Sequence, residues 1–211
     1  MVDKISAPWN LKGRGYVIIY KFNKDFVKDN CSLPPFLNYR FNGGFGAIMI
    51  MDYFESNVGP YQELLFIPGK FIYNNKKYYS ITKIYVSSME SVVNGKENWG
   101  MPKQFANFNF NDDFSKISVD IEGINILDFK ANYRHLKFPL STKLVPLPLV
   151  QRYNKKDYYT KFFGKGKARF AKVKKLKINS TLFPKVEDQR RLFSLRIEDF
   201  NITFPKADLQ F

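Results

Sequence analysis

Apolar and polar residues alternate in short runs along most of this chain, and the runs are rich in the β-branched and aromatic residues that suit a pleated, half-buried surface. Residues 16–20, 45–54, 61–67 and 78–86 read as strands, set off by the turn-like Gly13-Arg14-Gly15, Gly43-Gly44, Gly59-Pro60 and Pro68-Gly69. Residues 105–110, 116–121, 124–133, 157–163, 167–178 and 193–204 continue the series. Helical signals are fewer. Ser87-Ser88-Met89-Glu90 has the Ser-x-x-Glu spacing of a capping box, in which hydroxyl and carboxylate each satisfy a free backbone N–H, and Gly95 supplies a stop. That pattern predicts a short helix over 88–94. A second is expected over 24–29, and a single turn over 188–191. So many short strands leave edges that closure protects. The expected class is α+β, predominantly β: a closed or strongly curved antiparallel β-barrel with a few short helices. No repeat or linker divides residues 1–211, so one domain is expected, with 139–148 as a surface crossing between its two halves.

Composition sharpens this picture. With 45% hydrophobic and 25% charged residues, the chain has the make-up of a globular domain rather than of a disordered or fibrous one. Its 22 Phe, 13 Tyr and net charge of +15 are unusual. A basic, aromatic chain suggests nucleic acid, because lysines neutralise phosphates and flat rings stack on bases. The location of the charge argues otherwise. Between Arg152 and Lys177 eleven Lys or Arg face the single Asp157, leaving +5 for the rest of the chain. In 166–178 the charges interleave with apolar residues, as on a strand with one solvated face, where they also deter edge-to-edge aggregation. Lys outnumbers Arg by 26 to 8, whereas bidentate reading of phosphates and guanines favours Arg. Nor does the segment form a helix with one apolar and one basic face. Neither a nucleic-acid nor a membrane partner is expected.

One cysteine, Cys31, forbids an internal disulfide, and one histidine, His135, leaves too few soft ligands for a Cys/His zinc centre, so no metal is expected. The lone imidazole also disfavours a Ser-His-Asp triad, and Cys31 reads as a buried thiol rather than a nucleophile. The first eight residues lack the apolar core of a secretory signal, and no run reaches the roughly 18 apolar residues of a membrane span. A soluble, cytoplasmic protein is expected. The glycine clusters are too short for a nucleotide loop.

Three polar residues stand in apolar settings: Arg14 before a strand, Glu63 inside 61–67, and Lys103 after Pro102. From the residues alone, one reading is structural, with Glu63 paired to Arg14 and Lys103 at the surface. The other is an imine-forming site. Its nucleophile must be a neutral amine, a form that an ordinary lysine adopts in about one molecule in 2,500 at pH 7. Desolvation by Trp99, Met101 and Phe105, or a nearby cation, would raise that fraction.

At these residues the chain resembles the acetoacetate decarboxylase family. Ala7-Pro8-Trp9-x-x-x-Gly13-Arg14-x-Tyr16 looks like the family's amino-terminal motif with its active-site arginine, and Gly59-Pro60-Tyr61-Gln62-Glu63 is similar to the segment ending in the active-site glutamate. Gly95-Lys96-Glu97-x-x-Gly100-Met101-Pro102-Lys103 resembles the motif that carries the Schiff-base lysine, and Gly166-Lys167-Ala168-Arg169 and Leu182-Phe183-Pro184 look like the carboxy-terminal strand and loop. The resemblance implies one barrel-like domain, a homo-oligomer and a cofactor-free decarboxylase acting on a small keto acid. It implies Lys103, Glu63 and Arg14 as catalytic residues, with Leu11, Trp99, Met101, Gln104 and Phe105 around the substrate. Glu63 would move protons, and Arg14 would hold Glu63 or the substrate carboxylate. The chain departs from the family where a second lysine, a tyrosine and an arginine give way to Gln104, Met101 and Lys96. Two other outcomes therefore stay open: an imine-forming aldolase-dehydratase, and a non-catalytic binder of a small apolar or carbonyl ligand.

Overall fold

The computed structural model describes residues 2–143 and 146–210. The strands, in chain order, are β1 (Trp9–Tyr20), β2 (Gly46–Glu55), β3 (Tyr61–Ile67), β4 (Lys70–Tyr73), β5 (Lys76–Tyr79), β6 (Lys83–Val86), β7 (Lys103–Phe105) and β8 (Asn107–Phe110). They continue as β9 (Lys116–Ile121), β10 (Ile124–Tyr133), β11 (Phe138–Ser141), β12 (Pro148–Tyr153), β13 (Lys156–Lys161), β14 (Phe163–Ile178), β15 (Arg191–Phe204) and β16 (Asp208–Gln210). Helix α1 spans Lys24–Asn30 and α2 spans Met89–Trp99.

The main sheet runs β7-β6-β3-β2-β1-β15-β14-β10-β9-β8, with β11 beside β14. Its two end strands, β7 and β8, are separated in the chain by Ala106 alone. The sheet therefore curls round to meet itself as a nearly closed barrel. One buried cluster joins Tyr16, Ile18, Ile48, Ile50, Leu64 and Tyr85 to Ile117, Val119, Leu127 and Phe129 from the opposite side, which makes it the barrel interior. On the outer face, Val17, Met51, Leu65, Ile84 and Val86 pack with Tyr79, Leu149 and Tyr158 of a second sheet, ordered β16-β13-β12-β5-β4. Several core strands are thus buried on both faces. β6 and β7 are parallel, and the crossover that parallel strands require is α2.

The mostly β, barrel-like architecture agrees with the sequence pattern, and 61–67, 116–121 and 124–133 coincide with β3, β9 and β10. The expected strand 78–86 is instead the end of β5 and all of β6, in different sheets. Buried Ser80 donates to Gln151 (2.7 Å), whose amide donates to the Ile81 carbonyl (3.0 Å), so these polar groups are satisfied where the chain crosses between sheets, while the buried Thr82 hydroxyl finds no partner among the described residues. The expected strand 105–110 breaks at Ala106, where the barrel closes. The 139–148 crossing contains most of β11 and the first residue of β12; residues 144 and 145 lie outside the described residues. A turn over 187–189, closed by the Gln189 N–H on the Val186 carbonyl (2.9 Å), replaces the expected turn over 188–191. Cys31 is buried, and burial raises its thiol pKa. No helix among the described residues is long and apolar enough to cross a membrane.

Candidate active site

Side chains alternate between the two faces of a strand, so register decides which polar groups meet. In one row across the barrel wall, Gly15, Met51, Glu63 and Val86 are neighbours. Met51 and Val86 belong to the outer cluster, which places Glu63 on that face. Two positions along, Leu65 pairs with Ile84, and Ile84 with Lys103. Lys103 and Glu63 therefore share a face although 40 residues separate them. The Lys103 Nζ lies 3.0 Å from Glu63 Oε2 and 2.9 Å from Ser91 Oγ, and 5.1 Å from the centre of the Tyr61 ring. The other carboxylate oxygen of Glu63 accepts from the Tyr53 hydroxyl (3.0 Å), and the Tyr53 and Tyr61 rings lie 4.7 Å apart.

Helix α2 seals this group. Ser88 is its N-cap, accepting from the Ser91 N–H, so Ser91 stands in the first turn and Gly95 one turn later on the same side. The Lys103 stem lies against Gly95; a Cβ there would sit 2.7 Å from Lys103 Cδ and 2.9 Å from Cε. The capping box expected from Ser87 to Glu90 does not form, because Ser87 bonds Gln62 on β3 instead. Nor does Gly95 end the helix. Gly100, at φ 63°, is the C-cap, and the turn there sends the chain back beneath α2 into β7. The Trp99 indole N–H donates to the Pro205 carbonyl (2.7 Å), and its ring meets Trp9 edge-on, which anchors the helix end.

Lys103 is 2% exposed and Glu63 5%. Burial, and next the charge of Glu63, push the phenols of Tyr53 and Tyr61 well above the ordinary tyrosine range, so both remain protonated donors. The group is thus an amine, a carboxylate, two neutral phenols and a serine in apolar surroundings, able to hold and pass protons without bulk water. Surface clefts of about 640 and 740 Å³ lie elsewhere. No group of three His, Cys, Asp or Glu among the described residues is arranged to hold a metal ion.

Of the residues singled out by sequence, Lys103 and Glu63 meet, and Arg14 does not join them. Arg14, Asp52 and Gln62 form the adjacent row, whose side chains point to the opposite face. Arg14 Nε lies 3.0 Å from Asp52 Oδ2, while Asp52 Oδ1 accepts from the Gln62 amide (2.9 Å). The Arg14 guanidinium also stands 4.9 Å from the centre of the Phe114 ring. The expected Arg14–Glu63 pair and the surface Lys103 are both replaced by this arrangement. Leu11, Trp99 and Met101 are buried in the outer cluster. Gln104 and Phe105 are exposed; Gln104, next to Lys103 in a strand, projects away from the amine, as any side chain at that position would. Tyr53, Ser91 and Gly95 escaped the sequence reading as site residues. The spacing of Tyr61 two residues before Glu63, and of Ser91 four before Gly95, was the available signal.

The family model described as acetoacetate decarboxylase (ADC) matches residues 3–175. No curated protein matches the chain. Among solved structures, the acetoacetate decarboxylase from Legionella pneumophila is similar, with a TM-score of 0.72 and 16% identity over 98% of this chain and 88% of that one. An acetoacetate decarboxylase-like enzyme from Sphingomonas wittichii RW1 gives 0.71 and 8% over 98% and 94%. The enduracididine biosynthesis enzyme MppR, complexed with pyruvate, gives 0.62 and 13% over 97% and 91%. At such identities these structures speak for the fold alone. The family match, by contrast, spans most of the sequence and includes Arg14, Glu63 and Lys103, and on that ground the chain belongs to the acetoacetate decarboxylase family.

Proposed function

We propose that this protein is an enzyme that forms a Schiff base through Lys103 and decarboxylates a small β-keto acid such as acetoacetate. The observation that carries this reading is the sealed amine, 3.0 Å from a carboxylate and 2.9 Å from a hydroxyl. Passing the ammonium proton to Glu63 yields a neutral amine and a carboxylic acid, and the pair has no net charge before or after the transfer. The amine then attacks the ketone carbon to form a carbinolamine. Glu63 returns a proton to the departing hydroxyl, water leaves, and a protonated imine remains. Cleavage of the bond to the carboxylate sends its electron pair into the iminium, which is the electron sink. Carbon dioxide departs, the enamine is protonated on carbon, and water releases the ketone and the lysine.

Tyr53 orients Glu63 and Ser91 orients the amine. Arg14 has no part in this sequence of steps, since its guanidinium lies across the sheet. An unpaired carboxylate in an apolar site is disfavoured relative to neutral carbon dioxide, which assists the cleavage. Substrate reaches Lys103 when α2, which lies across its stem, shifts. A second reading keeps the imine and lets the enamine add to an aldehyde or eliminate water; the fold likeness to pyruvate-bound MppR supports it.

NMR of labelled acetoacetate tests the first reading. Acetone and carbon dioxide are expected above the spontaneous rate, and Lys103→Ala abolishes the excess. No release, with pyruvate and an aldehyde consumed instead, supports the second reading. Consumption of neither identifies a ligand-holding protein.

A further inference from the structure

β14 changes partner along its length. It pairs with β15 from Phe163 opposite Thr203 to Phe170 opposite Leu195. From Ala171 to Ile178 it pairs with β10, on its other side. β15 continues to Arg191 against β1. Beyond Phe170 and Leu195 the two strands therefore part, and among the described residues no backbone hydrogen bond joins 171–177 to 191–194. Each strand turns an open edge to the gap, the arrangement that accepts an added strand. Open volumes of about 640 and 260 Å³ occupy the seam and share Val173 and Arg191, so it is continuous.

The rim is cationic. Arg134, Lys172 and Arg191 line the larger opening, and Lys174 and Lys175 the smaller. Lys175 pairs with Asp128, whereas Arg134, Lys172, Lys174 and Arg191 have no carboxylate partner among the described residues. Glu187 is the carboxylate on the lining, and it already accepts from the Ile178 N–H (2.9 Å). Behind the wall, the guanidiniums of Arg169 and Arg196 lie 5.3 and 4.3 Å from the centre of the Tyr133 ring and share Glu198 with Lys137, so three cations meet one carboxylate. Phe170 and Phe193, about half exposed, offer apolar seats between the charges.

We infer that this seam binds an extended acidic peptide segment of a partner protein, added as a strand to the open edges. Its carboxylates meet Arg134, Lys172, Lys174 and Arg191, and its apolar side chains meet Phe170 and Phe193. Lysines on an edge deter indiscriminate pairing, and an acidic strand converts that deterrent into selection. A second copy of this chain would bring like charge to the rim. A nucleic acid would answer the charge and leave both backbone edges unpaired.

Fluorescence anisotropy tests the inference with a labelled peptide about ten residues long in which Glu and Val take turns at every second position, with Ser between them, so that both fall on one face of the added strand. The peptide binds, its Lys counterpart does not, and Lys172→Glu with Arg191→Glu weakens binding at least about tenfold while circular dichroism stays unchanged. N-methylating alternate amides also weakens it about tenfold, as losing roughly two backbone hydrogen bonds should. Equal binding of the methylated peptide, binding of heparin alone, or binding of neither overturns the inference. So does sedimentation showing a dimer that Lys172→Glu dissolves.

Discussion

Two ion pairs lie on opposite faces of the same sheet and differ in almost everything else. Arg14–Asp52 and Lys103–Glu63 have the same 3.0 Å separation, but the Arg14 side chain is 23% exposed and the Lys103 side chain 3%. Asp52 is one residue from Met51, and Gln62 one from Glu63; the pleat alone sends them to opposite faces. On one face the guanidinium reaches solvent and rests on aromatic rings. On the other, α2 covers an amine whose neighbours are a carboxylate, a serine and two phenols. Distance therefore says little about what a charge pair does. Its covering determines whether breaking it is costly and whether its amine can do chemistry.

Removing one partner breaks the comparison most severely. Lys103→Ala leaves a buried carboxylate uncompensated and should lose about 3–5 kcal/mol in urea unfolding at pH 7. Arg14→Ala also strips a buried carboxylate, but water can enter where the guanidinium stood and Asp52 keeps the Gln62 amide, so it should lose less, about 1–3 kcal/mol. Equal losses would contradict the distinction. Next comes Tyr53→Phe, which takes a hydrogen bond from a buried carboxylate and should cost about 1.5–3 kcal/mol. The same phenols set an alkaline limit. Their pKa values are raised in the folded state, so their contribution is whole below the ordinary phenol value of about 10 and is lost as pH rises above it. Stability measured from pH 9 to 11 should fall, and less steeply in Tyr53→Phe.

Gly95→Ala gives a smaller effect of informative sign. Helix propensity alone would gain about 1 kcal/mol. Overpacking against the Lys103 stem should cost about 1–3 kcal/mol, so the variant melts lower, and a higher melting temperature would mean that α2 does not press on Lys103. The smallest effect is Gln104→Lys. Its side chain projects away from the amine, so stability should change by less than about 0.5 kcal/mol and the pH–rate profile should not move.

The sequence made β9 and β10 legible through their alternation, and β3 as a short apolar run bounded by Gly59-Pro60 and Pro68-Gly69. It misplaced the end of α2 because glycine both ends helices and admits close packing, and only the nearness of Lys103 reveals the second role of Gly95. The strand expected over 78–86 ran two sheets together, because Ser80 and Thr82 look like ordinary polar positions until Gln151 and Phe66 are found beside them. Lys103 and Glu63 stood out as polar residues in apolar runs. Their pairing, and the separation of Arg14 from both, depended on strand register, which is set by contacts between residues far apart in the chain.

The central claim is that Lys103 is a nucleophilic amine held under α2. Borohydride reduction in the presence of acetoacetate, followed by peptide mass mapping, tests it most directly. A single reduced adduct on Lys103, absent in Lys103→Ala and slowed in Tyr53→Phe, is the predicted result. An adduct spread over the exposed lysines of β14, or none with either acetoacetate or pyruvate, would contradict it.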